Sequence, residues 1–443
     1  MSSTNLEIWQ FLKKQLKPRS LDPSELLPEN YDPSIKPIRC TEFSSLLDCL
    51  REKLQIHESM EHTFAVMLAS HIGTFTGSVP LWFYIIGPAS SGKTTLSDLI
   101  SAASPYIKAV SKFTGLHSGF RSGASKADAS LFASWQNMTV VIKDFTTVIA
   151  MSPEARDRIF SELRDAYDGS SAAQFRNRVA HEYHGIKFSV LACVTEAIRK
   201  FNVSNLGERF LHCQIDSRWN PDLTLTTYSA SDDTLYRAMR SALSSITDDK
   251  GTSNSHLIPQ KCTTYGFIEY LIQSIENNPD HVLRIGNNIS HKYLPFLMSM
   301  SKIVSASRAY VDGASHRPRP EAATRVAIQL SKLAACLCIV YGVSSPDKTI
   351  LNILRKVAYD TSFNLNSEVM MYIYSNPKTT IPDIVSDVDS TAPTISKVIS
   401  DLQALGIVSK VTAVKRSIGR PAMSYDLVKE IRDSYKIIEE TTA

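Results

Sequence analysis

The chain has 443 residues, 48 basic and 44 acidic side chains, a formal net charge of +4 and 43% apolar residues. Such a length holds two to four domains and such a composition a sizeable core. The mild charge neither requires nor excludes nucleic acid, so any DNA site has to rest on local patches. Seven scattered cysteines without a CxxC pair exclude a disulfide framework and point to a reducing compartment. The opening MSSTNLEIWQFLKKQL carries no apolar signal segment, and no apolar stretch approaches the ~20 residues of a membrane span. The expectation is a soluble cytoplasmic protein without membrane contact.

In chain order, one short amphipathic helix precedes a Pro-rich polar arm that ends near Pro37. From Thr41 to about Thr76, apolar residues recur at helical spacing (Phe43, Leu46, Leu47, Leu50, Leu54, then Phe64, Met67, Leu68) and predict one or two helices. Strands and helices then alternate: a strand over 81–86, a helix from Gly92, a strand over 139–142, a helix over 153–167 and a strand over 188–194. That alternation predicts a three-layer α/β core with a mostly parallel sheet. After Asp216 a polar stretch around GTSNS reads as a linker, and residues from about Thr263 to Tyr359 read as helical throughout. Cys336 and Cys338 lie in its apolar run and are expected to pack in a core. From Ser367 three short helices precede a β-hairpin. The expected division is an arm and helices over 1–60, a nucleotide-binding core over 61–225, a helical lid over 226–362 and a terminal module over 363–443.

Between the strand LWFYII and the helix TTLSDLI lie Gly87, Pro88, Ala89, Ser90, Ser91, Gly92, Lys93 and Thr94, followed by Thr95. This is the pattern of a Walker A loop. Its glycines permit a tight turn that gathers backbone N–H groups around phosphates, and the helix that follows points its positive end at them. Lys93 would reach the β- and γ-phosphates of ATP, and the Thr94 hydroxyl would hold Mg²⁺. The strand MTVVI runs into Lys143, Asp144 and Phe145. Either Asp144 positions the metal and another group activates water, or Asp144 is the base and Lys143 stands in the metal-binding position. A third strand, FSVLACV, ends at Thr195, whose hydroxyl can touch the γ-phosphate or satisfy its own backbone. LGERF sets Arg209 before the strand FLHCQI. There it can reach transition-state charge in a neighbouring subunit, or pair with an acid such as Glu208.

Taken together, GPASSGKTT, FTGLHSG, VVIKDFTT, LRDAYDG, ACVTEAI and LGERFL resemble the AAA+ ATPases of phages and integrative mobile elements. These in turn look like minichromosome-maintenance-type replicative helicases. The resemblance spans about 78–216 and continues more weakly through HRPRPEAATRVAIQL. It implies a P-loop AAA+ core with a helical lid, a hexameric ring and ATP bound between subunits. Lys93, Thr94, Asp144 and Thr195 would serve one face as Walker A, Walker B and sensor 1, and Arg209 would act in trans. Arg319 and Arg325 are the candidates for the sensor-2 arginine, with Arg319 at the better-matching distance before Glu321. The resemblance also implies a DNA-gripping hairpin within AAQFRNRVAHEYHGIK, with Arg176, Arg178 and Lys187 as candidates. Two positions differ from the helicases: a single acid in KDF, and Thr195 in place of Asn. The large N-terminal DNA-binding collar is missing as well.

Residues from Ser367 to Leu427 read, on their own pattern, as a winged helix-turn-helix. Thr391 is placed to cap a third helix with Pro393 in its first turn, and Gly406 ends it. Thr394, Ser396 and Lys397 fall on the turns that would enter a DNA groove. Lys410, Lys415, Arg416 and Arg420 form a basic wing with no acid among them. The expected function is therefore an ATP-driven DNA translocase or helicase of a mobile element. The alternatives are an ATP-dependent initiator, loader or regulator that does not unwind, and a signalling or defence ATPase whose terminal module binds protein.

Overall fold

The computed structural model describes residues 35–54, 56–76, 79–88, 91–101, 106–118, 121–122, 127–128, 130–175, 180–200, 209–215, 257–312, 317–319, 322–414 and 422–442. The first helical stretch is two helices, α1 (Phe43–Arg51) and α2 (Glu58–Phe75). In α1, Phe43, Leu46, Leu47 and Leu50 are buried, the one-sided stripe of an amphipathic helix, whereas α2 is buried along most of its length. Then come β1 (Trp82–Ile86), α3 (Lys93–Ser101), β2 (Ile107–Val110), a short antiparallel pair β3 (Arg121–Ser122) and β4 (Ala127–Asp128), and α4 (Leu131–Trp135). They are followed by β5 (Thr139–Ile142), α5 (Thr146–Ile149), α6 (Pro153–Tyr167), the hairpin β6 (Ser170–Gln174) and β7 (Ala180–His184), β8 (Ser189–Val194) and β9 (Phe210–Gln214). Ser152 opens α6 by accepting a hydrogen bond from the Ala155 amide, with Pro153 just inside, a pairing of cap and first-turn residue that the sequence displays openly.

Five strands form one parallel sheet in the order β2-β5-β8-β1-β9. Because helices cover both faces, β1, β5 and β8 are apolar or small at nearly every position and wholly buried. Trp82, Tyr84 and Ile86 face a core shared with Phe145 and α6, and Phe83 and Ile85 face the core shared with α2 and α3. The connection from β1 crosses to β2 at one edge of the sheet, and every later connection steps back the other way. Right-handed crossovers then place α3 and α6 on opposite faces. That reversal falls beside β1, and in open α/β sheets ligands bind outside the strand C-termini at such a point.

The helical region comprises α7 (Ile258–Asn277), α8 (Pro279–Lys292), α9 (Leu294–Arg308), a short strand pair β10 (Tyr310–Val311) and β11 (Pro318–Arg319), α10 (Thr324–Tyr341) and α11 (Lys348–Ser362). The strand pair interrupts what the apolar pattern predicts as continuous helix. Among the described residues, α10 alone has the length and hydropathy to cross a membrane, but it is packed against α2, α8, α9 and α11. Cys336 and Cys338 are buried within it as expected. Residues 35–42 run along α7, with the Ile38 amide donating to the Cys262 carbonyl at 3.0 Å. A Cβ on Gly266 would fall 1.7 Å from the Ile38 carbonyl oxygen, so only glycine permits that crossing.

The outer side of β9 is partly occupied by α9 and α11. The His212 amide donates to Thr361 Oγ1 at 2.9 Å and the Gln214 amide to Asp360 Oδ2 at 2.7 Å, while Arg308 and Lys356 donate to the Phe210 and Gln214 carbonyls.

The terminal module contains α12 (Leu365–Ser375), β12 (Thr379–Thr380), α13 (Ile381–Asp387), α14 (Ala392–Ala404), β13 (Val408–Val414), β14 (Ala422–Leu427) and α15 (Lys429–Thr442). Its antiparallel sheet has the order β12-β14-β13. The three helices and the hairpin were anticipated, but β12 and α15 were not. Thr391 precedes α14 as expected, yet its hydroxyl bonds the Thr394 hydroxyl at 2.9 Å and does not cap the backbone. α15 packs on α9 and α11, and a single apolar cluster runs from one face of the large sheet through the helical region into this module.

Candidate functional site

The loop after β1 is tied to the sheet where the Gly87 amide donates to the Val194 carbonyl at 3.2 Å. It closes on itself through Ser91 N–H to Pro88 O at 3.4 Å, and α3 starts at Lys93. Gly92 has φ +82°, a left-handed conformation that disfavours any side chain, and a Cβ on Gly87 would lie 2.6 Å from Ser91 Oγ. The turn thus requires glycine at Gly92, whereas at Gly87 a side chain would have to displace the Ser91 hydroxyl. Lys93 Nζ donates to the carbonyls of Gly87 and Pro88, each at 2.6 Å, and to Ser91 Oγ at 3.2 Å. The ammonium therefore sits within the loop at the N-terminus of α3, the end of a helix that favours negative charge. Burial lowers its pKa, against the opposing pull of Cys193 and Asp144. Thr94 is exposed in the first turn of α3, and Thr95 is half-buried. Ala89 and Ser90 lie outside the described residues.

Asp144 follows β5 at the same edge of the sheet and is exposed, with its carboxylate accepting from the Thr146 amide at 3.0 Å. Lys143 turns the other way and pairs with Asp98 of α3 at 3.2 Å. Of the two residues weighed for the metal role, Asp144 is the one that offers oxygen. A threonine hydroxyl and one carboxylate suit Mg²⁺, which keeps several waters and takes remaining ligands from phosphates. Among the described residues no group of three or more His, Cys, Asp or Glu side chains forms a metal cage. Thr195 closes β8 and is half-buried one strand from the loop. Beneath them, Ser97 and Cys193 meet at 3.0 Å, and burial pushes the Cys193 thiol up to about 11, so it is not a nucleophile.

Arg209 stands at the start of β9, level with the start of β1, so the length of β1, about 16 Å, separates it from Gly87. It cannot serve the loop of its own chain. It pairs with Asp168 at 2.6 Å and lies over the Tyr167 ring. Glu208, the alternative partner, lies outside the described residues. Arg325, on α10, approaches the same Asp168 at 3.9 Å and the same ring. Arg325 thus shares the Arg209 end of the sheet and not the Gly87 end. Arg319 is exposed on β11, 3.9 Å from Asp312, and is likewise part of a strand pair and not of the loop's surroundings. Gln329 of α10 donates to the Tyr167 hydroxyl at 2.8 Å and to the Arg209 carbonyl at 3.0 Å.

The anticipated hairpin exists as β6 and β7, alternately exposed and covered along both strands. Arg176 and Arg178 lie outside the described residues. Lys187 is placed otherwise than the hairpin reading expects. It lies beyond the hairpin, and its ammonium turns inward to the Thr76 carbonyl at 2.7 Å, so it cannot grip an external phosphate in this conformation. In the terminal module, Thr394, Ser396 and Lys397 are exposed on the early turns of α14, and Lys410 is exposed on β13. Lys415, Arg416 and Arg420 lie outside the described residues.

Sequence reasoning missed Asp168, Gln329 and the Lys143–Asp98 pair. Only Asp168 had a local signal, the Asp-Gly pair that ends a helix just before a hairpin. No protein-family model matches the sequence, and no curated protein matches it.

Proposed function

We propose that this chain is an ATPase of AAA+ type that works on DNA as a homo-oligomeric ring, hexameric by resemblance, with each nucleotide shared between neighbours. One observation carries this reading: Lys93 sits in a glycine-bounded loop at a helix start, and the exposed carboxylate of Asp144 lies at the same sheet edge. The sheet reversal beside β1 supports a P-loop core, since open α/β sheets bind ligands there. In this reading the loop amides and Lys93 hold the β- and γ-phosphates, and Thr94 and Asp144 hold Mg²⁺, which would neutralise charge as the γ-phosphate departs. Thr195, at the end of β8, would touch the γ-phosphate or the attacking water. Arg209 acts on a neighbour's nucleotide, because its own is out of reach. The terminal module, read as a winged helix-turn-helix, would set the exposed face of α14 in a DNA groove with the wing on phosphates. Replication of a mobile genetic element is the process to which the resemblance points.

A second reading, an ATP-dependent initiator, loader or regulator without unwinding, draws on Asp144 being the lone acid in KDF and on Lys143 being engaged by Asp98. Turnover and forked-DNA displacement by the full chain separate the two. Lys93→Ala is expected to abolish hydrolysis, and Arg209→Ala to lower it by about a thousandfold while ATP binding persists. Mixing the two inactive proteins is expected to restore turnover. Undiminished hydrolysis by Lys93→Ala would overturn both readings, and hydrolysis without strand displacement would select the second.

A further inference from the structure

We infer that Asp168 is a latch that withholds Arg209 from the neighbouring subunit's nucleotide until the hairpin of its own chain is engaged. This rests on the shared-site reading above and assigns a regulatory role to a residue outside the nucleotide loop.

Asp168 occupies a junction of three elements. Its amide ends α6 by donating to the Arg164 carbonyl, and Gly169 and Ser170 directly after it begin the hairpin, where Ser170 faces His184. The root is closed by the Ile186 amide donating to the Gly169 carbonyl at 3.0 Å, so a displacement of the hairpin is transmitted to Asp168. Its carboxylate meets Arg209 through Oδ2 at 2.6 Å and Arg325 through Oδ1 at 3.9 Å, bringing β9 and α10 to the same anion.

The exposure of the members gives the device a direction. The Arg209 side chain is only 12% exposed, Arg325 is 37% exposed and Asp168 is 49% exposed. Held against Tyr167, Arg209 is turned away from the surface where a neighbouring subunit's phosphate would need it. Its backbone is fixed from below, since Gln329 binds both the Arg209 carbonyl and the Tyr167 hydroxyl. Release is therefore a side-chain event and needs no unfolding of β9. A terminal phosphate offers more charge and more acceptor oxygens than a carboxylate, so it can take the guanidinium once Asp168 has moved. Asp168 is half-exposed although Arg209 is largely covered, so water reaches the pair from the carboxylate side and it can exchange, with a bias on the order of fivefold. By linkage, whatever shifts the hairpin favours the released arginine, and a neighbour's bound nucleotide favours the shifted hairpin.

The test uses the full chain and steady-state ATP turnover with and without single-stranded DNA. Asp168→Asn keeps the size of the side chain and removes its charge. Its DNA-free rate is expected to rise by roughly fivefold, and the ratio of DNA-stimulated to DNA-free rate to fall by the same factor. Asp168→Glu, which restores the charge, is expected to return the ratio toward wild type. Asp168→Ser is the second variant should the asparagine protein not fold, with the same loss of ratio expected. A variant lacking the charge but matching wild type in both rate and ratio overturns the latch alone. Wild-type turnover in Arg209→Ala overturns the shared-site reading and the latch with it.

Discussion

Lys332 is an ammonium sealed inside the molecule, donating to the Val79 carbonyl at 2.6 Å just ahead of β1. Burial pushes its pKa down to about 7, and neighbouring Lys187 pushes the same way. An unfolded lysine titrates near ~10.4, so between about pH 7 and pH 10 the unfolded chain binds the extra proton and folding strengthens as pH rises. Lys332→Met is expected to raise the melting temperature at pH 7, with the gain shrinking toward pH 10. Calorimetry at both pH values checks this, and a gain independent of pH would contradict it. No local pattern in the sequence marks Lys332 as buried, because its surroundings come from α2 and from the chain before β1. Lys93 and Gly92 are different: their geometry is local, and the motif alone discloses it. Lys187 misleads for the same reason that Lys332 is silent. Its sequence neighbours are a basic hairpin, but the amine is claimed by the distant end of α2.

At the level of elements, strands enclosed on both faces and helices with ordinary caps were readable in advance, and the start of α6 is the cleanest case. The two-residue β12 exists only through its pairing with β14 and leaves no trace in the sequence. α15 is less excusable, since Ile431, Tyr435 and Ile438 lie at helical spacing on its buried face, although a largely charged composition obscures the stripe. Tyr435 is almost fully enclosed against Tyr374, with ring centroids 4.7 Å apart. Tyr435→Ala is expected to cost about 3–5 kcal/mol, as large aromatic truncations in a core do. Urea unfolding measures this, and a loss below about 1 kcal/mol would mean that α15 contributes little to the fold.

Over the whole molecule, the expected division at 225/226 lies outside the described residues and that at 362/363 falls between two helices, α11 and α12, with a continuous apolar interior beneath them. The same apolar cluster contains Phe83 of the sheet, Leu333 of α10, Ile399 of α14 and Tyr435 of α15. Such continuity couples their stabilities, so calorimetry of the full chain is expected to give one main transition spanning all three regions. A saturating nucleotide should move that whole transition upward, by about 2.7 kcal/mol at a hundred times its Kd. Separate melting of the terminal module would show that the shared interior does not transmit stability.

The covering of β9 bears on how copies of this chain can meet. With Thr361, Asp360, Arg308 and Lys356 already occupying four of its outward main-chain groups, that border of the sheet is a poor template for an incoming strand. Copies approaching from that side have to join through side chains. Such seams come apart without breaking a β-ladder, so in the proposed ring a contact on this side would be able to loosen and re-form.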